Sequence, residues 1–455
     1  MKTFDLSPTN DNLINTYKNN TICRNNYLHR FIELINSIED GFSIGLGGNW
    51  GSGKTFFVKQ AKMIMDANNP FVKQMPEDDK KSIQFVWNEY EKEHNVCLKN
   101  QVCVYYDSWK YDNDDDPVLS LIYEIAKELG ANYNFTEESS TAKIVVSLLE
   151  LLSGRNITDF YHTFKNQKDL MEGIENERKL TEQINEFFDS VLEERGDRLV
   201  VFVDELDRCK PSYAVNLLEK IKHYFSNERI TFVFSINTVE LINTIQKYYG
   251  QSFDSSRYLD RFFDLRLDLP QINNKNFLEY MGFGIKNSYI QDKVVLAVVN
   301  YFRLEMREIT RYLKLVKIAI YKPVHTNWDL YDSERLCIQY IIPVMLGLKL
   351  YDTKKYFNLI NGEDCTPLIE VLSDFKNDNL FQKLLNNGED YNTTGMDTVH
   401  VKIEDKINRA YNAIFKTRYS PTKENLMIGS ISFDAENKKM IEETINLFSD
   451  YIDIN

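Results

Sequence analysis

Residues 48–55 read Gly48-Asn49-Trp50-Gly51-Ser52-Gly53-Lys54-Thr55. They fit G-x-x-x-x-G-K-[ST], the pattern of a phosphate-binding loop (P-loop), in which every fixed residue has a physical task. The glycines let backbone N–H groups turn toward phosphate oxygens, where a Cβ atom would clash. Lys54 can reach the β- and γ-phosphates of a nucleotide, and the Thr55 hydroxyl can ligate Mg²⁺. We therefore expect residues 48–55, together with Phe56, to bind phosphates.

The sequence on both sides of this loop has the required order of strand, loop and helix. Residues 42–46 are a short, mostly apolar run that predicts a buried strand, and residues 56–65 predict a helix. The positive end of that helix would face the bound anion. A glycine-rich turn without function is the alternative, and the order of the flanking elements disfavours it.

Four further runs predict strands, at residues 101–106, 199–203, 230–236 and 263–267. The run 199–203 is apolar throughout, which suits a strand buried on both faces of a parallel sheet. Helical sequence separates the runs. This alternation predicts a three-layer α/β core with a mainly parallel, five-stranded sheet.

The 455 residues are too many for one compact core, so we expect several domains. Residues 1–270 are predicted to form the nucleotide-binding core, with a polar helical insertion at 131–179. No comparable strand runs follow Pro270. We therefore predict a helical lid at 271–325 and a helical C-terminal domain at 326–455.

Composition indicates an ordinary soluble protein, with 43% hydrophobic and 27% charged residues. The formal net charge of −14 disfavours non-specific nucleic-acid binding through bulk charge, although a local basic groove stays open. The six cysteines are scattered and form no C-x-x-C pair, which indicates reduced thiols in the cytoplasm rather than a zinc site or disulfides. The start of the chain lacks the apolar stretch of a signal peptide. No run approaches the ~20 apolar residues of a membrane span, so no integral membrane segment is expected.

Two acidic residues follow the buried run 199–203, where phosphoryl transfer needs them. Asp204 is at the expected place for the Mg²⁺ carboxylate. Glu205 can polarise an attacking water, which favours hydrolysis over storage of a bound nucleotide. The alternative is that both residues cap a following turn.

Polar residues after the later strands are further candidates. Asn237 could sense the γ-phosphate or orient the water, or it could cap the next helix, and the two roles can coexist. Arg257 and Arg261 precede the fifth strand, where an arginine of a ring-forming ATPase often reaches the nucleotide of a neighbouring subunit. We favour Arg261 for that role. The alternative is an ion pair with one of three nearby carboxylates, Asp254, Asp260 or Asp264.

Arg307 and Arg311 are four residues apart and share one face of a predicted helix. Arg307 could fold over the nucleotide from a helical lid, or the two could be a solvated charge pair. The run Asn273-Asn274-Lys275-Asn276 does not make the guanine-reading pattern N-K-x-D, so ATP is preferred over GTP.

Three segments together resemble the KAP family of P-loop ATPases. They are Trp50-Gly51-Ser52-Gly53-Lys54-Thr55, Tyr105-Tyr106-Asp107-Ser108-Trp109-Lys110-Tyr111 and Asp204-Glu205-Leu206-Asp207-Arg208-Cys209-Lys210-Pro211. The resemblance implies that Asp207 and Arg208 are site residues, although a structural ion pair explains them equally well. Many members carry membrane helices between the P-loop and the second acidic motif, whereas this chain has only polar helical sequence there. Bacterial members include phage-exclusion proteins, and the Asn-rich chain is closer to a bacterial or phage type.

The leading hypothesis is a Mg²⁺-dependent ATPase whose cycle moves its helical C-terminal region or a partner, in antiviral defence by resemblance. Self-association or a partner protein is expected. A nucleotide-gated scaffold that binds ATP with little hydrolysis is the first alternative, and an ATP-driven nucleic-acid remodeler is the second.

Overall fold

A computed structural model describes residues 7–114, 116–133, 181–182, 184–189, 191–193, 195–225, 227–284, 290–324, 330–385, 402–416 and 426–446. The chain divides into two compact units, Asp5–Ile272 and Asn273–Asn455. The predicted domain boundaries at 270 and 325 stay predictions. The predicted insertion at 131–179 lies outside the described residues, apart from the end of one helix at residue 133.

The first unit is built on a five-stranded, fully parallel sheet in the order β2-β3-β4-β1-β5. The strands are β1 (Phe42–Gly47), β2 (Gln101–Asp107), β3 (Arg198–Asp204), β4 (Ile230–Ile236) and β5 (Leu265–Asp268). Every residue of β3 and β4 is buried, as expected for central strands that are covered on both faces. The predicted three-layer α/β fold with a parallel five-stranded sheet is confirmed.

Helices pack on both faces of this sheet, as parallel connections require. The helices of this unit are Asn10–Lys18, Asn25–Ser37, Lys54–Asn68, Glu77–His94, Pro117–Tyr133, Pro211–Tyr224, Thr238–Tyr249 and Ser255–Leu259. Two 3₁₀ turns, Ser108–Tyr111 and Leu206–Arg208, directly follow the ends of β2 and β3. The fifth strand begins two residues later than predicted, at Leu265, although the Asp264 N–H already donates to the Ser43 carbonyl of β1 at 2.9 Å.

Strand register brings the polar ends of three strands together. Gly47 of β1 pairs with Ile236 of β4, and Asp204 of β3 pairs with Ser235 of β4. The P-loop, the acidic pair and Asn237 therefore leave the sheet at the same edge, beside one another. Open parallel sheets bind their ligands at this carboxyl edge.

The second unit is mainly helical, with one difference from the prediction. Its helices are Asn274–Tyr280, Ile290–Tyr301, Met306–Val324, Asp332–Leu336, Ile342–Tyr351, Thr353–Ile360, Thr366–Leu372, Asn379–Leu385, Ile403–Tyr411 and Ala435–Asn446. A short antiparallel hairpin, β6 (Leu426–Ile428) and β7 (Ile431–Phe433), turns at Gly429 with φ 58°. This hairpin was not predicted, because three-residue strands leave too little pattern to detect. Across the described ranges, every helix is too short or too polar to cross a membrane.

Candidate functional site

The P-loop has the backbone that its glycines allow. Gly51 and Gly53 have φ angles of 83° and 92°, which a residue with a Cβ atom adopts only under strain. A Cβ atom on Gly48 would lie 2.9 Å from the Ser52 Oγ. The Gly48 N–H donates to the Ile236 carbonyl at 3.2 Å, which ties the loop to β4. These contacts define the shape of the loop and hold it at the end of the sheet.

Lys54 lies across this loop. Its Nζ donates to the carbonyl oxygens of Gly48 at 2.7 Å and Asn49 at 3.1 Å. Burial lowers the pKa of the Lys54 ammonium, and the nearby Asp207 and Asp204 carboxylates act in the opposite direction. The cation is therefore held inside the cradle that would surround a phosphate.

Thr55 and Asp204 meet directly at the edge of the sheet. The Thr55 Oγ1 donates to Asp204 Oδ2 at 2.6 Å, and Asp204 is only 1% exposed. The Tyr105 hydroxyl, from the end of β2, donates to the same carboxylate oxygen at 2.8 Å. A hydroxyl and a carboxylate are the hard oxygen donors that Mg²⁺ prefers.

Glu205 is held in an uncommon conformation directly after β3. Its φ of 61° is left-handed, and it begins the turn Leu206–Arg208. Burial and then the charge of Asp204 raise the pKa of the Glu205 carboxyl to about 7. The Arg208 Nε lies 2.6 Å from Glu205 Oε2, and the guanidinium stacks 5.4 Å from the centre of the Trp109 ring. A non-glycine residue in this conformation marks a position that the surrounding structure enforces.

A hydrogen bond joins the P-loop to the turn Leu206–Arg208. The Trp50 indole N–H donates to Asp207 Oδ2 at 2.7 Å. Trp50 itself is 47% exposed, whereas Asp207 is buried. Asp207 and Arg208, which the resemblance implied as site residues, thus both contact residues at this edge.

Two predicted residues have well-defined structural roles. The Asn237 side chain accepts from the Glu240 N–H at 3.4 Å and caps the helix Thr238–Tyr249. Asn237 also lies directly after β4, beside the acidic strand. Its predicted role in sensing the γ-phosphate or orienting the water stays a prediction. The Phe56 side chain is buried inside the first unit, so only its backbone could face a phosphate.

Arg257 and Arg261 are exposed. The three carboxylates that could have paired with them have other partners: Asp254 caps a helix, Asp260 pairs with Arg266 at 2.8 Å, and Asp264 accepts from the Ser43 N–H. Within the described part of the chain, Arg261 makes no ion pair. Its hydrogen bonds there are made by its backbone: the N–H donates to the Tyr258 carbonyl at 3.1 Å, and the carbonyl accepts from the Lys222 ammonium.

Arg307 and Arg311 lie exposed on the helix Met306–Val324, in the second compact unit. Their predicted role stays a prediction. Tyr105 is a residue of this site for which no role was predicted. Its signal in the sequence is a hydroxyl near the end of β2, the strand beside the acidic strand β3.

Comparison with known proteins agrees with this geometry. The chain is 27% identical over 178 residues to the uncharacterized protein MJ0182 of Methanocaldococcus jannaschii, covering 30% of this chain and 89% of that protein. The family model described as the KAP family P-loop domain matches residues 24–319, which include the P-loop, Trp109 and the whole acidic turn. Because this match spans well over half of the sequence, the chain belongs to the KAP family of P-loop NTPase domains.

Proposed function

We propose that this protein hydrolyses ATP to ADP and phosphate in a Mg²⁺-dependent reaction. The observation that carries the proposal is the position of Glu205, directly after Asp204, which itself bonds Thr55 at 2.6 Å. A carboxylate beside the metal-binding pair can polarise a water for attack on the γ-phosphate. P-loop proteins that only store a nucleotide do not need this group.

The chain's own residues fit a magnesium nucleotide. Thr55 and Asp204 would hold Mg²⁺, which when bound neutralises charge on the phosphate oxygens. Lys54 already lies within the loop and would exchange its two carbonyl partners for phosphate oxygens. The backbone amides of residues 48–56 and the start of the helix Lys54–Asn68 would bind the remaining charge.

Glu205 would act as the base, and its raised pKa of about 7 suits that role near neutral pH. Asn237, next along this edge, would orient the same water through its side-chain N–H groups, while its Oδ1 continues to cap the helix Thr238–Tyr249. ATP rather than GTP is proposed because Asn273 caps the helix Asn274–Tyr280 and the guanine-reading pattern is missing from this segment.

The test is phosphate release from ATP and from GTP, with Mg²⁺ and with excess EDTA, for the wild type and Lys54→Ala. Turnover of ATP that needs both Mg²⁺ and Lys54 supports the proposal. Turnover that persists in EDTA or in Lys54→Ala would argue against it.

A nucleotide-gated scaffold is the second candidate, and one contact favours it. The Glu205 carboxylate is engaged by Arg208 at 2.6 Å, so it must leave that partner before it can activate water. Tight ATP binding with almost no phosphate release, unchanged in Arg208→Ala, would favour the scaffold.

We also propose that the nucleotide cycle drives a conformational change that regulates a partner or a second copy of the chain, in bacterial defence against phage. The support is the family resemblance. Phage plating on bacteria that express the wild type, Lys54→Ala or Glu205→Gln tests it. Equal plating on all three strains and on a strain without the protein would contradict the defence role.

A further inference from the structure

We propose that Trp50 and Asp207 form a positioning pair, which holds the Glu205 turn in a fixed place relative to the P-loop. This inference rests on the proposed function, because it describes how the water-activating group would be kept in register with the phosphates. Neither side chain is assigned to touch the reacting atoms.

The backbone of Trp50 is part of the phosphate-binding loop, whereas its side chain contacts a residue outside the loop. Its neighbour Gly51 has a φ of 83°, so the loop backbone curls inward here. The indole ring is 47% exposed and reaches the acidic turn, where its N–H donates to Asp207 Oδ2 at 2.7 Å. Packing of the buried half of the ring is not directional, whereas the indole N–H bond to Asp207 fixes where the ring lies relative to the turn.

Asp207 is the residue of the turn that accepts this hydrogen bond. Its carboxylate is buried, and the Trp50 indole is its one hydrogen-bond donor among the described side chains. Asp207 lies two residues after Glu205, inside the turn Leu206–Arg208. A contact that fixes the position of Asp207 therefore also restricts the position of Glu205, because both belong to one short turn.

The fold of the turn has other supports. Leu206 is fully buried, and the backbone N–H of Arg208 donates to the Glu205 carbonyl at 3.0 Å. Asp204 is fixed separately, by Thr55, by Tyr105 and by the Ser108 hydroxyl, which donates to its carbonyl at 2.7 Å. The Trp50–Asp207 bond is thus not needed to build the edge of the sheet. What it adds is a direct link between the loop that would hold the phosphates and the turn that carries Glu205.

The test compares Trp50→Phe, Asp207→Ala and the double variant in steady-state ATP hydrolysis. Phe keeps an aromatic ring but removes the N–H donor, and Ala removes the acceptor, whereas Asn would keep an oxygen able to accept the same bond. We expect each single variant to lower kcat about tenfold with KM within about twofold, and the double variant to be no worse than either single one. Effects that multiply in the double variant would overturn the pairing, as would a kcat within about twofold of wild type.

Trp87→Phe is the matched control for a merely structural effect. Trp87 is fully buried away from this edge, against His29 and Tyr90, so its truncation should lower the melting temperature without lowering kcat. A Trp50→Phe variant that loses melting temperature but keeps kcat would show a structural role only, and would overturn the inference.

A wild type that releases no phosphate would contradict the proposed function but would not show whether Trp50 and Asp207 position the Glu205 turn. Hydrogen–deuterium exchange of the backbone of residues 205–210 decides it in that case. We expect faster exchange there in Trp50→Phe than in the wild type or in Trp87→Phe. Equal exchange in all three would overturn the inference.

Discussion

The Tyr105 hydroxyl donates at 2.8 Å to Asp204 Oδ2, the same oxygen that accepts from Thr55. Tyr105 comes from the edge strand β2, and Asp204 ends the neighbouring strand β3. The carboxylate proposed to serve Mg²⁺ is therefore oriented from two sides, by a residue of the P-loop helix and by a residue of the edge strand.

Tyr105→Phe should weaken the binding of Mg-ATP. It removes one hydrogen bond to a charged acceptor, which is worth about 1.5 kcal/mol, so we expect an affinity loss of about tenfold. Isothermal titration with ATP at fixed Mg²⁺ measures it. Tyr106→Phe is the control, because the Tyr106 hydroxyl bonds Tyr213 at 2.5 Å and does not contact Asp204. Equal affinities in the two variants would show that Tyr105 has no role in orienting the carboxylate.

Gly48→Ala should block the phosphate site by a defined clash. A Cβ atom there would lie 2.9 Å from the Ser52 Oγ and 3.3 Å from the Lys54 Cδ. We expect ADP affinity to fall by about tenfold or more, since the loop or Lys54 must shift. The double variant Gly48→Ala/Ser52→Ala lacks the Ser52 hydroxyl, so Gly48→Ala should cost less ADP affinity in the Ser52→Ala background than in the wild type. An equal cost in both backgrounds would mean that the clash is not with Ser52.

His29 should make the stability of the first unit depend on pH. It is buried, it is hydrogen-bonded to the Tyr17 hydroxyl at 2.8 Å, and burial, with a smaller effect of His94, lowers its pKa to about 4. The unfolded chain, with a His pKa near 6.5, therefore binds more protons between pH 6.5 and 4. The stabilisation is complete above pH 6.5 and is lost as the pH falls toward 4, by on the order of 3 kcal/mol.

Urea unfolding at several pH values tests this in the wild type and in His29→Gln. Gln cannot titrate, so the variant should be less stable at pH 7 but should lose less stability on acidification. Parallel pH curves for the two proteins would contradict the role of His29.

Arg261 is exposed and without an ion pair within the described residues, and we propose that it reaches the nucleotide of a neighbouring copy. Arg261→Ala alone and Lys54→Ala alone should both be inactive. Mixed together, they should recover turnover, because a Lys54→Ala subunit still supplies Arg261 to a partner with an intact P-loop. No recovery on mixing, with a monomeric native mass in ATP, would remove the trans role.

Much of this fold follows from local sequence patterns. Runs such as 199–203 are apolar throughout, and the P-loop glycines have few other uses, so the sheet and the loop could be predicted. Sequence alone does not order the strands. That β4 lies between β1 and β3 depends on tertiary packing, and this order is what brings Asn237 beside the acidic pair.

The side-chain contacts of the site were harder to predict than its residues. Asp207 and Trp50 are 157 positions apart, and no local pattern links them. The left-handed φ of Glu205 was not predictable either, because Glu ordinarily avoids that region and only the surrounding turn enforces it. The three-residue strands β6 and β7 were missed for want of pattern.

We propose, above all, that Glu205 activates water on a nucleotide held by the P-loop. Single-turnover phosphate release from bound ATP in Glu205→Gln tests it most directly, since Gln keeps the shape of the side chain and loses the base. We predict that this variant binds ATP as tightly as the wild type and releases phosphate about 100-fold more slowly or worse. Release at the wild-type rate from Glu205→Gln would contradict the claim.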